Sequence, residues 1–170
     1  DPEDATNRVA ITTKGDGAEV FAGTVMIDPV FPEAIPFTAD EQRMSVRVRA
    51  PAAGIPVLLK VETEDASVFA ELEVSTTVAN EWEVLTWDFA TAGLDPNLAY
   101  ERSIIFFDFG SIGDGSVYYW ENVQLGVPAA EPEGPAGLAL PITFDANGVD
   151  YPLDVFGGAA SELVADPADG

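Results

Sequence analysis

The side chains able to do chemistry in this sequence are almost all carboxylates and aromatic rings. Histidine and cysteine are absent, which removes the commonest general base, the commonest transition-metal ligand and the thiolate nucleophile. Nucleophilic triads are thereby excluded, apart from the rarer Ser-Lys type. Two close carboxylate pairs, Glu81/Glu83 and Asp108/Asp114, have the chemistry of glycoside hydrolysis, but among 30 acidic residues such pairs arise by chance. No Gly-rich loop leads into a helix, so a phosphate cradle is unsupported. The chain is therefore expected to be non-catalytic. Asp145-x-Asn147-x-x-Asp150 sets oxygen ligands on one turn, which suits a hard cation such as calcium. It lacks the full spacing and the Glu of an EF-hand loop, and the same residues also make a plain Asx turn with a solvated carboxylate. Asp114, between Gly113 and Gly115, reads as part of a tight turn.

Sugar binding requires exposed rings that can stack on a pyranose. Trp82, Tyr118 and Trp120 are the candidates, with Arg47 and Arg49 as hydrogen-bond donors. Trp87 and Phe89 fall in a strand pattern and are expected in the core. Alternation places Tyr118 and Trp120 on one face and Tyr119 and Glu121 on the other, so one of these pairs is expected to be core as well.

The elements that must position these residues are strands. Helical periodicity is nearly missing, and short alternating runs are punctuated by Gly, Pro, Asn and Asp. The pattern predicts strands at Arg8–Thr13, Glu19–Met26, Met44–Arg49, Val57–Thr63, Ser67–Val74, Glu83–Asp88, Arg102–Phe107 and Val117–Val123. Met44–Arg49 and Val57–Thr63, joined by Pro51–Pro56, read as hairpin-linked neighbours. A length of 170 residues fits one domain, and a 47% hydrophobic content with 10 Phe, 4 Tyr and 3 Trp suffices for a sandwich interior. The fold class expected is all-β, a two-sheet antiparallel β-sandwich.

The formal charge is −23, from 30 acidic and 7 basic residues. Such a surface repels phosphate backbones and anionic lipid, so neither nucleic acid nor a membrane surface is an expected partner. No apolar run reaches the length of a membrane span. With no cysteine, no disulfide holds the domain together.

The chain divides into a body, 1–126, a Pro/Ala/Gly-rich linker, 127–137, and a strand-like segment, 138–170. The linker composition predicts an extended, semi-rigid spacer. The last segment carries apolar strand positions at Leu140, Ile142, Phe144, Tyr151, Leu153, Val155 and Phe156. Further extended pieces flank Gly157-Gly158. It is too small to fold alone and needs a partner sheet. The chain's end, Val164-Ala-Asp-Pro-Ala-Asp-Gly170, and its beginning, Asp1-Pro-Glu-Asp-Ala-Thr-Asn-Arg-Val9, read in series as one acidic turn between two strands. One reading sets 138–170 before residue 1 in natural strand order; the other is a coincidence of two common Asp-Pro turns.

Several stretches resemble the carbohydrate-binding-module-like jelly-roll domains attached to secreted polysaccharide-degrading and surface proteins of bacteria. They are Gly17–Gly23, Ala50–Glu62, Ala79–Phe89, Ile105–Gly110 and Gly113–Val123. In that family the module opens with a stretch like Leu140-Pro-Ile-Thr-Phe-Asp145, then one like Phe156-Gly-Gly158 and a turn like Asp166-Pro167. Here those opening strands come last. The resemblance implies a jelly roll, an extracellular or cell-surface location, and a structural calcium at positions matching Asp145 and Glu121, beside Asn147 and Asp150. The displaced order leaves three outcomes. The segment docks on its own body, completes a neighbouring copy, or marks one period of a tandem array. The expected function is a structural module assembling with copies of itself, head to tail, into a fibre by donor-strand complementation. The alternative is a polysaccharide-binding accessory module.

Overall fold

The computed structural model describes residues 8–27, 31–127 and 153–165. Among the described residues ten strands form: β1 (Arg8–Lys14), β2 (Gly23–Val25), β3 (Arg43–Arg49), β4 (Pro56–Glu62), β5 (Phe69–Ser75), β6 (Trp82–Asp88), β7 (Arg102–Phe107), β8 (Ser116–Leu125), β9 (Asp154–Phe156) and β10 (Ala159–Ala165). They pair antiparallel into two five-stranded sheets, β10-β1-β8-β3-β6 and β5-β4-β7-β2-β9. The all-β, two-sheet antiparallel sandwich is thus the fold. Alternation explains it. Met44, Val46 and Val48 of β3 are buried while Arg43, Arg47 and Arg49 lie outward.

The core lies between the sheets. Trp87 and Trp120 from the first sheet meet Leu59 and Ile105 from the second, all fully buried. Tyr118 stacks on Phe107, with centroids 4.6 Å apart and an interplanar angle of 7°. The Trp87 indole N–H donates to the Val57 carbonyl of the opposite sheet at 3.2 Å. Trp87 and Phe89 are therefore core residues, as the strand pattern requires. Within β8 a bulge shifts the register between the pairs at Ser45 and Arg47, and Asn122 adopts φ 52°. The extra residue lets Trp120 and Val123, three apart, both face inward.

Two expectations are corrected. β3 and β4 are not hairpin neighbours, because Ala50–Ile55 crosses from one sheet to the other. Both strands bury apolar residues in the same core from opposite sides, and alternation cannot say which sheet a strand joins. The expected strand Glu19–Met26 shortens to Gly23–Val25. Residues 15–22 form a loop instead, in which the Ala22 N–H bonds to the Glu19 carbonyl at 2.9 Å and the Glu19 N–H to the Gly157 carbonyl at 2.7 Å.

The connections cluster at two poles. The loops 15–22, 50–55, 76–81 and 108–115, with the Gly157-Gly158 turn, share the lower pole, and 31–42, 63–68 and 89–101 share the upper one. β1 and β9 start at the upper pole, and β8 and β10 end there.

Replacing Trp87 with Ala removes a fully buried indole and its bond to the Val57 carbonyl of the opposite sheet. The expected loss is about 3–5 kcal/mol, measured by urea unfolding with the m-value unchanged.

Candidate functional site

The expected assembly segment supplies an edge strand to each sheet. β9 pairs with β2, with Val155 opposite Thr24, and β10 pairs with β1 over seven residues, from Arg8 opposite Ala165 to Lys14 opposite Ala159. Between them, Gly157 and Gly158 hold φ values of 65° and 86°. This is the left-handed pair that a tight turn demands and that glycine adopts without steric cost. The turn is also crowded. A Cβ on Gly157 would lie 2.9 Å from the Ala22 Cα, and one on Gly158 would lie 3.2 Å from the Ala18 Cα. Val155, Phe156 and Leu153 of the expected strand are partly buried, and Leu153 and Leu163 pack on the main core. Phe156 packs edge-on against Phe106 at 5.8 Å, on the outward side of the second sheet. The other assembly positions, Leu140, Ile142, Phe144 and Tyr151, lie outside the described residues, as does the linker after Val127.

A buried hydroxyl cluster fixes this corner. The Ser161 hydroxyl of β10 lies 2.7 Å from both the Thr12 hydroxyl of β1 and the Thr24 hydroxyl of β2. Thr12 and Thr24 are 3.3 Å apart, and the Trp120 indole N–H donates to Thr12 Oγ1 at 3.0 Å. Three hydroxyls from two sheets and one indole thus satisfy one another, and a register slip of β10 would place Ala160 or Glu162 at the junction instead of Ser161. The sequence signal was parity, since Ala10, Thr12 and Lys14 share the inward face of β1, and Ser161 and Leu163 that of β10.

Parity also buries Lys14. Its ammonium donates to the carbonyls of Asp108 at 2.6 Å and Phe107 at 3.3 Å. Burial lowers its pKa from the ordinary 10.5, against the opposing pull of the Asp108 and Asp114 carboxylates.

The sugar-stacking candidates separate. Tyr118 and Trp120, expected as sugar-stacking rings, lie in the core instead, where the Trp120 indole N–H bonds to Thr12 inside the sandwich. They are 1% and 0% exposed, and Tyr118 has its pKa pushed up to about 12, chiefly by desolvation. Trp82 remains on the outer face of the first sheet, and Tyr119, not Tyr118, shares that face. The register lines up Glu162, Ile11, Tyr119, Arg49 and Trp82 across all five strands. Arg47 lies over the Trp82 ring at 4.6 Å and Arg49 over Tyr119 at 5.6 Å. Arg47 also pairs with the buried Glu121.

Glu121, the one described member of the expected calcium set, is thus engaged by an arginine. Asp145, Asn147 and Asp150 lie outside the described residues. Among the described residues no group of three His, Cys, Asp or Glu side chains is placed to hold a metal ion. Asp114 accepts from the Ser116 N–H at 2.9 Å, which is turn geometry. No helix among the described residues is long and apolar enough to cross a membrane. The chain is an antiparallel β-sandwich compatible with a jelly roll; no protein-family model matches it and no curated protein matches it.

Ser161→Ala leaves the Thr12 and Thr24 hydroxyls short of a partner, with an expected cost of about 1–3 kcal/mol by urea unfolding. Lys14 gives a pH signature. Because its folded pKa is lowered, the unfolded chain binds more protons between that value and 10.5, so stability rises with pH across this window. Tyr118 acts in the opposite sense as pH approaches the ordinary tyrosine value of 10, so the readout is the difference: the urea midpoint of the natural chain minus that of Lys14→Met is expected to grow from pH 8 to 10.5.

Proposed function

We propose that this protein is a non-catalytic, extracellular structural module that assembles with copies of itself, head to tail, by strand donation. The observation that supports it most is the placement of β9 and β10. The last described strands finish both sheets, whereas β8, which precedes them in the chain, is separated from the start of β9 by 28 residues, 126–153. A docking segment separated from its body by such a tether can complete its own sheets or a neighbour's with the same hydrogen bonds, register and Ser161 key. Donation to the neighbour is a heterologous contact that does not close, so it propagates as a fibre. Ala165 opposite Arg8 adds a second support. β10 and β1 lie side by side as hairpin partners do, so a turn would suffice to join a donated β10 to the β1 it pairs with.

The absence of native cysteine makes the test direct. Thr13 and Ala160 are register partners, close enough for a disulfide when both become Cys. Chains carrying only Thr13→Cys, mixed after mild unfolding with chains carrying only Ala160→Cys and then refolded and oxidised, are expected to form interchain disulfides on a non-reducing gel. Only unlinked chains, with a readily formed internal bond in the double variant, would contradict strand donation.

The ladder of Trp82, Arg47, Tyr119 and Arg49 favours a second reading, polysaccharide binding on the outer face of the first sheet. It pairs flat rings with guanidinium donors, the combination that stacks on and hydrogen-bonds a sugar. Trp82→Ala is the suitable variant, because removing Arg47 would break its ion pair with the buried Glu121 and damage the fold. Affinity electrophoresis in β-glucan and alginate gels is expected to show retardation of the natural chain and at least tenfold weaker retardation of Trp82→Ala. Equal mobility in every gel would contradict it.

A further inference from the structure

The large apolar side chains that remain exposed are not scattered. Among the described residues they are Val20, Phe21, Val68, Phe69, Val84, Leu98, Ile112 and Val127. Val20, Phe21 and Ile112 lie in the lower-pole loops, while Val68, Phe69, Leu98 and Val127 lie at the upper pole; only Val84 is on a side, in β6. Phe21 is 50% exposed, Phe69 53% and Ile112 69%.

The lower patch is built rigidly. The Gly110 N–H bonds to the Val20 carbonyl at 3.0 Å, the Gly113 N–H to the Ala18 carbonyl at 2.9 Å and the Gly17 N–H to the Gly113 carbonyl at 2.8 Å. Gly113 sits so close that a Cβ there would fall 2.1 Å from the Gly15 carbonyl oxygen. Two loops are thus clamped together with their apolar residues outward, which lowers the ordering cost of a contact.

We propose that the two poles are the stacking surfaces of the array, with Val20, Phe21 and Ile112 of one copy packed on the upper pole of the next. The occupant is a second copy of this chain, and the inference rests on the head-to-tail function proposed above. Three facts point to it. The two poles carry unlike apolar patches, which suits a heterologous contact rather than a two-fold one. The chain leaves β8 and enters β9 at the upper pole. The 25 residues between Val127 and Leu153 can reach about 80 Å when extended, whereas a strand the length of β8 spans only about 33 Å. A donated segment can therefore leave one upper pole, run the height of a neighbour stacked on it, and enter that neighbour's upper pole.

Both poles are also acidic. Asp16, Glu19 and Asp114 are exposed below, and Glu64, Asp65 and Asp95 above. The contact is apolar attraction working against like charge, so salt strengthens it.

The test uses the full chain and a Phe21→Ser/Ile112→Ser variant, whose changes are at exposed loop positions that leave the thermal midpoint unchanged. Interchain disulfide yield in the Thr13→Cys and Ala160→Cys mixture reports strand donation alone. Negative-stain images report filament stiffness. The expected result is unchanged disulfide yield but filaments at least several-fold more flexible than those of the natural chain, with stiffness of the natural filaments increasing from 20 mM to 500 mM NaCl. Equally straight filaments from both chains would overturn the pole contact while leaving strand donation intact. If no interchain disulfide forms, strand donation fails, and sedimentation velocity decides the pole contact. Association of the natural chain that grows with salt and is lost in the variant supports it, and a monomer at every concentration and salt overturns it.

Discussion

The structure depends on two sheet edges being closed by one corner of chain. β1 and β2 belong to different sheets, and each would otherwise present unpaired main-chain groups to water on one side. β9 and β10 cover both edges, and the Gly157-Gly158 turn between them carries the chain from one sheet to the other. The Ser161 hydroxyl sits where the two sheets meet and touches a threonine from each. Main-chain bonding supplies the attraction, and this hydroxyl cluster supplies the register. Apolar side chains alone tolerate a slipped strand far better than a set of mutually satisfied hydroxyls does.

Charge shapes everything outside that corner. With 7 basic residues against 30 acidic ones, the cations are committed to local structure. Lys60 and Arg102 both hold the buried Glu62, at 2.7 Å and 2.9 Å. Desolvation alone would raise the Glu62 pKa, but those two hydrogen bonds outweigh it and keep the carboxyl below its usual range. Arg43 forks onto Glu41, Arg47 pairs with Glu121, and Lys14 is inside. The remaining charge is chiefly anionic, at the poles as on the sides, and the exposed large apolar side chains among the described residues lie mostly at the poles.

The strand pattern was legible because alternation encodes which side of each strand is buried. Met44–Arg49 follows from it, whereas Arg102–Phe107 was legible as a continuous apolar run, buried at every position after Arg102. What alternation does not encode is which sheet a strand joins, so β3 and β4 looked like a hairpin while lying in opposite sheets. It also left open which side of β8 faces inward. That choice is made by a contact 108 positions away in sequence, the Trp120 indole on Thr12, and so Tyr119 rather than Tyr118 came to the outer face beside Trp82. The loop 15–22 was misread because its apolar residues, Val20 and Phe21, are strand-like in type but are held by turns at Gly17 and by the Gly157 carbonyl. Lys14 was unreadable as a buried group until its parity with Ala10 and Thr12 was tied to the carbonyls of Phe107 and Asp108.

The central claim is that the C-terminal strands are an integral part of the sandwich rather than an appendage. Hydrogen exchange of a chain truncated after Val127, with and without an added peptide spanning 138–165, tests it most directly. The account predicts that amides of Arg8–Lys14 and Gly23–Val25 lose protection by orders of magnitude in the truncated chain and regain it when the peptide binds. Full protection of both strands in the truncated chain alone would contradict it.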